Sequence, residues 1–137
     1  MKYDFISRRR TPDIVIKSPD QAYEVLKKHG KKQQEHFFVL TLDSSGFVKH
    51  VHIVTIGIVN KTLVHPREIF IKAIKDSSTA IIVVHNHTSG SCVPSDEDVE
   101  VTRKLRDAGN LIGISVLDHL IFTKNGYYSF QEAGKIL

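Results

Sequence analysis

The sequence holds one cysteine, Cys92, among 137 residues. A single thiol excludes an internal disulfide, agrees with a reducing compartment, and rules out the paired-cysteine zinc site of nucleobase deaminases. No His-Glu-x-x-His stretch is present, which removes the thermolysin type of metalloprotease. No apolar run approaches the ~20 residues that cross a bilayer. The opening residues Met1-Lys2-Tyr3-Asp4-Phe5 lack the apolar region of a signal peptide, so the expected location is cytoplasmic, with no membrane partner. A large excess of one charge sign is lacking too: the net charge is +4 and the pI about 9.2. The short basic clusters Arg8-Arg9-Arg10, Lys27-Lys28 and Lys31-Lys32 read as solvated surface, so nucleic-acid binding has weak support.

What is there is the composition of an ordinary soluble globular protein, 41% hydrophobic and 25% charged. A chain of this length forms one domain and buries roughly two thirds of its unfolded surface. Residues 1–12 read as a polar tail closed by Pro12, and residues 13–137 as the domain. No internal repeat, low-complexity segment or linker interrupts it.

Taken in order, Asp13-Ile14-Val15-Ile16 predicts a short edge strand, whose unpaired side makes a homodimer conceivable. Ser18-Pro19 supplies an N-cap and an N1 proline, and Ala22, Val25 and Leu26 form a helical stripe that stops at Gly30. The pattern then alternates as strands do: residues 35–42, the turn Asp43-Ser44-Ser45-Gly46, and residues 47–57 make a hairpin. His65-Pro66-Arg67-Glu68 opens a second helix, with Ile69, Phe70, Ala73 and Ile74 as core and His65 as decoration of the helix start. Thr79 to Val84 is a buried strand. A third helix runs from Ser95 to Gly109, its C′ stop, along Val99, Val101, Leu105 and Ala108. Leu111 to Thr123 predicts a strand bulged at Gly113, Asn125-Gly126 turns it into Tyr127-Tyr128, and Ser129 caps a last helix over 130–136. The order βαββαβαββα argues for an α/β sandwich.

The chemistry concentrates at the end of the buried strand, in His85-Asn86-His87. Residues i and i+2 of a strand share a face, so His85 and His87 aim at one point. Asp98 follows, at N3 of the next helix if Ser95 is its N-cap, where it reaches the same point. Two imidazoles and a carboxylate suit zinc and leave a fourth, open position, which signals catalysis rather than bracing. The competing reading of Ser95-x-x-Asp98 is a plain capping box with no metal.

The spacing His-x-His, seven residues, Ser, two residues, Asp resembles the JAMM motif of the JAB/MPN metallopeptidases, filled here by His85, His87, Ser95 and Asp98. More closely, His85 to Gly90, Pro94 to Asp98, Leu117-Asp118-His119-Leu120-Ile121 and Leu63-Val64-His65-Pro66-Arg67-Glu68 resemble the RadC family of bacterial proteins, from about Gln34 onward. Thr88 stands where RadC proteins usually have proline, and Gly90-Ser91-Cys92 where Gly-Asp-Pro is common. The helix-hairpin-helix region of full-length RadC proteins has no counterpart here. The resemblance implies a JAB/MPN-like, cytidine deaminase-like three-layer sandwich with a central mixed sheet flanked by helices.

It also implies a zinc-dependent peptidase or isopeptidase acting on a peptide or protein substrate, with Glu35, at the mouth of its strand, as general base. A DNA-associated accessory module of the repair type, with a structural or vestigial metal, is the alternative. Zinc lowers the pKa of bound water toward about 7, so hydroxide is available at neutral pH. Ser95, as N-cap, keeps a hydroxyl proton for the oxyanion that forms. Asp118-His119 reads as a strand-end structural pair, and Cys92 as a loop thiol.

Overall fold

The computed structural model describes residues 14–27, 35–57 and 64–136, with the side chains of 55–57 left aside. The expected tail, the start of the first run at Asp13, the basic residues Lys28, Lys31 and Lys32, and the stop at Gly30 lie outside the described residues. The elements are α1 (Pro19–Leu26), β1 (Glu35–Leu42), β2 (Val48–Gly57), α2 (Pro66–Lys75), β3 (Ala80–Asn86), α3 (Asp96–Ile112), β4 (Ser115–Thr123) and β5 (Gly126–Ser129). They build a mixed sheet in the order β2-β1-β3-β4-β5, in which only β3 and β4 run parallel.

Side-chain alternation along β1 and β3 divides the core into two layers. Phe38, Leu40, Leu42, Ile82 and Val84 pack toward α1 with Ala22 and Leu26. Phe37, Val39, Ile81 and Val83 pack on the other face with Ile69, Phe70 and Ala73 of α2 and Val101 and Leu105 of α3. β1 and β3 are covered on both faces, so their sequences are apolar almost throughout, as a central strand requires. His85 extends the series Ile81, Val83 and therefore points toward α2 and α3.

Several expectations change on contact with the structure. The first run is a single bridge, Val15 to Phe47, flanked by Ile16 N–H to Gly46 O at 2.9 Å, because Lys17-Ser18-Pro19 turns at once into α1. Ser18 occupies the N-cap of α1 without a side-chain cap bond. Ile74 is 61% exposed rather than core, and Val99 is 43% exposed. The buried line of α3 is Asp98, Val101, Thr102, Leu105 and Gly109, which leaves Val99 about 100° around from Asp98.

The third helix also passes Gly109 and ends at Gly113, whose φ of +80° is the left-handed cap conformation that glycine adopts without strain. The bulge falls between Val116 and Asp118, leaving Leu117 unpaired against β3, rather than at Gly113. Beyond Ser129 the chain makes consecutive turns in place of the last helix. Ser129 Oγ does accept from Glu132 N–H at 3.0 Å, as a cap would, but Gly134 at φ +71° ends the segment before a helix repays its nucleation cost.

Gly109 is in the helix for space: a Cβ there would lie 2.3 Å from Ile114 O and 3.3 Å from Phe70 and Val116 side-chain carbons. Glycine to alanine inside a helix ordinarily gains about 1 kcal/mol. Gly109→Ala is expected to reverse that sign and lose about 1–3 kcal/mol, the range for overpacking, read as a lower urea midpoint at unchanged slope. A raised midpoint would show that α3 does not press on residue 114.

Candidate metal centre

β3 ends at Asn86, and the residues around that end are locked before any ligand arrives. Asn86, buried, accepts from His36 N–H at 2.6 Å, tying the start of β1 to the end of β3. His85 and His87 flank it on the opposite face. α3 then begins beside them with a complete capping box: Asp98 N–H donates to Ser95 Oγ at 3.1 Å, and Ser95 N–H donates to Asp98 Oδ2 at 2.8 Å. The capping box and the convergence on the histidines coexist, so the two readings of Ser95-x-x-Asp98 are not exclusive. One carboxylate serves both.

His85 Nε2 lies 3.3 Å from Asp98 Oδ1, and His87 Nε2 lies 3.3 Å from Asp98 Oδ2. All three residues offer a ligand atom within 4.8 Å of one another, with His85 and Asp98 fully buried. Two ligands on a tetrahedral ion with bonds of 2.0–2.1 Å sit about 3.3 Å apart. Direct N–H···O contacts would draw these atoms to about 2.7–2.9 Å.

The hydrogen bonds behind the ligands constrain which ring nitrogens carry protons when the rings are neutral. Thr102 Oγ1 donates to the Asp98 carbonyl at 2.7 Å, which spends its only proton. It therefore accepts from His119 Nδ1 at 2.6 Å. His119 Nε2 is then a lone pair, and it accepts from His85 Nδ1 at 3.1 Å. In the same way His87 Nδ1 donates to Ser91 O at 2.9 Å. With both Nδ1 positions protonated, both Nε2 atoms face the Asp98 carboxylate, where a ring proton or a bound cation stands between nitrogen and oxygen, and the donor set fits zinc. Burial favours protonation of Asp98, but His87, His85 and Ser95 outweigh it and hold the carboxyl well below the usual carboxylate range.

Glu35 is the first residue of β1, partly buried. It shares a strand face with Phe37, whose register partner is His85, so it stands on the face and at the edge where the ligands converge. Cys92 Sγ instead lies 3.6 Å from Thr123 Oγ1, and His65 Nδ1 accepts from Arg67 N–H at 3.1 Å as the N-cap of α2. Asp118 and His119, read together as a structural pair, point to different places. Asp118 accepts from His119 N–H, Gln131 N–H and Ser129 Oγ, tying down the C-terminal turns, and burial pushes its carboxyl pKa up. His119, stacked on Phe130 and fully buried, meets His85. Thr102 went unnoticed in the sequence, although a hydroxyl one turn after Asp98 on the buried line of α3 was a legible signal.

This fold, with a His-x-His strand end and an aspartate at N3 of the following helix, defines a JAB/MPN-type α/β domain. The chain belongs to the RadC family, whose RadC-like JAB domain model matches residues 16–135. It is 43% identical over 138 residues to a UPF0758 protein of Methanospirillum hungatei JF-1, covering 96% of this chain and 61% of that one. It is 47% identical over 122 residues to the UPF0758 protein YsxA of Bacillus subtilis strain 168, covering 88% of this chain and 53% of that one. A UPF0758 protein of Desulfitobacterium hafniense DCB-2 is 46% identical over 121 residues, again 88% against 53%. The chain thus spans between half and two thirds of these relatives' length. Among the described residues, no helix is long and apolar enough to cross a membrane.

Replacing His119 tests the proton assignment. His119→Ala is expected to weaken zinc binding about 10–100-fold, as loss of a ligand's supporting partner does, while His119→Gln, whose side-chain carbonyl can still accept, recovers part of it. Equal affinity in all three proteins, measured by competition with a chelating dye, would show that His119 does not orient His85.

Proposed function

We propose that this chain is a zinc-dependent hydrolase of amide bonds, a peptidase or isopeptidase. The observation that carries the reading is the convergence of His85 Nε2, His87 Nε2 and the Asp98 carboxylate at 3.3 Å spacing, the geometry and donor set of a zinc site. These residues would hold the ion. When bound with an open fourth position, zinc acidifies water and polarises a substrate carbonyl.

The chain's own groups supply the rest. Glu35, at the edge of the ligand face, takes a proton on its carboxylate and delivers it to the leaving amine. Ser95 receives the Asp98 N–H on its oxygen lone pair and keeps its hydroxyl proton to donate to the developing oxyanion. His119 and Thr102 hold His85 in the tautomer that turns Nε2 toward Asp98. The substrate class follows from the reaction: a peptide or protein carrying an accessible amide. A DNA-associated module with a structural metal remains the competing reading, and it requires zinc without hydrolysis together with steeply salt-dependent DNA binding.

Zinc content and peptidase activity of variants separate the two. Glu35→Gln is expected to keep its zinc and lose about 10²–10⁴-fold in rate, the usual contribution of a general base. His85→Ala/His87→Ala is expected to lose both zinc and activity. Retention of full activity in Glu35→Gln would remove Glu35 from the mechanism, and a parent protein that takes up no zinc at this centre would sink the hydrolase reading. Ser95→Ala is expected to cost about 1 kcal/mol in stability as a lost N-cap and about 10²-fold in rate. A stability loss at unchanged rate would leave Ser95 as a cap alone.

A further inference from the structure

A second group of metal-type ligands lies toward the other end of the sheet. His50 and His52 stand at i and i+2 on β2, the edge strand, and so share a face. Their register partners on β1 are Thr41 and Val39, and Val39 packs under α2 and α3. Asp76, the C-cap residue of α2, closes over that face. His50 Nδ1 is 2.5 Å from Asp76 Oδ1, and His52 Nε2 is 2.7 Å from Asp76 Oδ2. One ligand atom from each residue lies within 4.8 Å of the others. His50 pairs with Thr41 and His85 with Phe37, four residues apart on β1, a separation of about 13 Å along the strand. The two clusters share no residue.

We propose that His50, His52 and Asp76 form a second binding site, for a divalent cation of the zinc type. Two imidazole nitrogens and a carboxylate oxygen are the donor set of such ions. The carboxylate is also oriented from behind, since Thr41 Oγ1 donates to Asp76 Oδ2 at 2.7 Å, the kind of support that ligating carboxylates receive. The Asp76 carboxylate adds negative charge at the C-terminal end of α2, where the helix dipole favours a cation, so an ion held there joins Lys72 and Lys75 in answering it. Burial favours protonation of this carboxyl, yet His52, Thr41 and His50 outweigh it and keep its pKa below the ordinary value. Both histidine side chains are 19% exposed and Asp76 is 7% exposed, so water has access to complete the coordination.

The contacts of 2.5 and 2.7 Å are shorter than the 3.3 Å of the first centre. Without the ion, protons bridge the carboxylate to both rings, and binding opens the cluster by a fraction of an ångström. The first centre is spaced for its ion beforehand. The second is therefore the weaker of the two, and its ion pins the edge strand β2 to the end of α2.

Zinc alone, titrated by calorimetry into the chelator-stripped full chain, tests this. The parent is expected to take two equivalents of unequal affinity. His50→Gln/His52→Gln and, as a milder change, Asp76→Asn are each expected to lose the weaker one and keep the tighter. His85→Ala/His87→Ala is expected to show the reverse. Ring ¹⁵N resonances of His50 and His52 in the parent are expected to shift during the weaker step, which gives a readout that does not depend on any variant folding. Ring signals unmoved by zinc, or two equivalents retained in both Asp76→Asn and His50→Gln/His52→Gln, would leave a proton-bridged ion pair and overturn the second site. A single equivalent that survives His85→Ala/His87→Ala but not His50→Gln/His52→Gln would uphold the second site while refuting the hydrolase reading.

Discussion

The structure depends most on a run of donors and acceptors that begins at a helix carbonyl. Thr102 gives its proton to the Asp98 carbonyl, so His119 must give its Nδ1 proton to Thr102, and His85 must give its own to His119. Each step leaves the next group one permitted role. The last consequence is that Nε2 of His85 faces the buried Asp98 carboxylate, the two groups placed to share a proton or a metal ion. A buried network of this kind is stable only when every member is satisfied.

The fold exists to hold that run in place. β3 brings His85 and His87 to one edge, β4 lies parallel beside it and carries His119 at the register of Val83, and α3 crosses between them with Asp98 and Thr102 one turn apart. Apolar packing fixes each carrier: Phe37, Val83 and Leu105 fill the layer beneath the site. Gly109 lets the far end of α3 approach Ile114 closely enough to set the helix angle. The Asp118 anchor keeps the C-terminal turns, and with them Phe130, against the His119 ring. The polar residues of the site are thereby positioned by apolar contacts well away from it.

Most of this was legible in the sequence where a pattern repeats. The alternation of residues 35–57 and the apolar run before His85 fixed the hairpin and the central strand, and the resemblance of the His85 to Asp98 segment pointed to the family. What escaped was decided by tertiary contact. Ile74 and Val99 fit a helical stripe but lie off the line each helix buries. Gly109 looks like a stop and is a close approach, while the actual stop, Gly113, sits inside what looks like a strand. The Ser129 cap is real, yet too few residues follow it to make a helix. His119 and Asp118 are neighbours with opposite orientations, and nothing in their order says which faces the histidines. The His50, His52 and Asp76 cluster is invisible in one dimension because a strand and a helix end supply its members.

The most direct test reads the protons themselves. Long-range ¹H–¹⁵N spectra of the imidazoles, recorded as zinc is added, report which nitrogen of each ring is protonated and which meets the metal. The account predicts Nδ1–H on His85, His87 and His119, with zinc moving Nε2 of His85 and His87 and leaving their Nδ1 protons in place. Zinc on Nδ1 of either ligand, or rings of His85 and His87 that do not respond to it, would contradict the account.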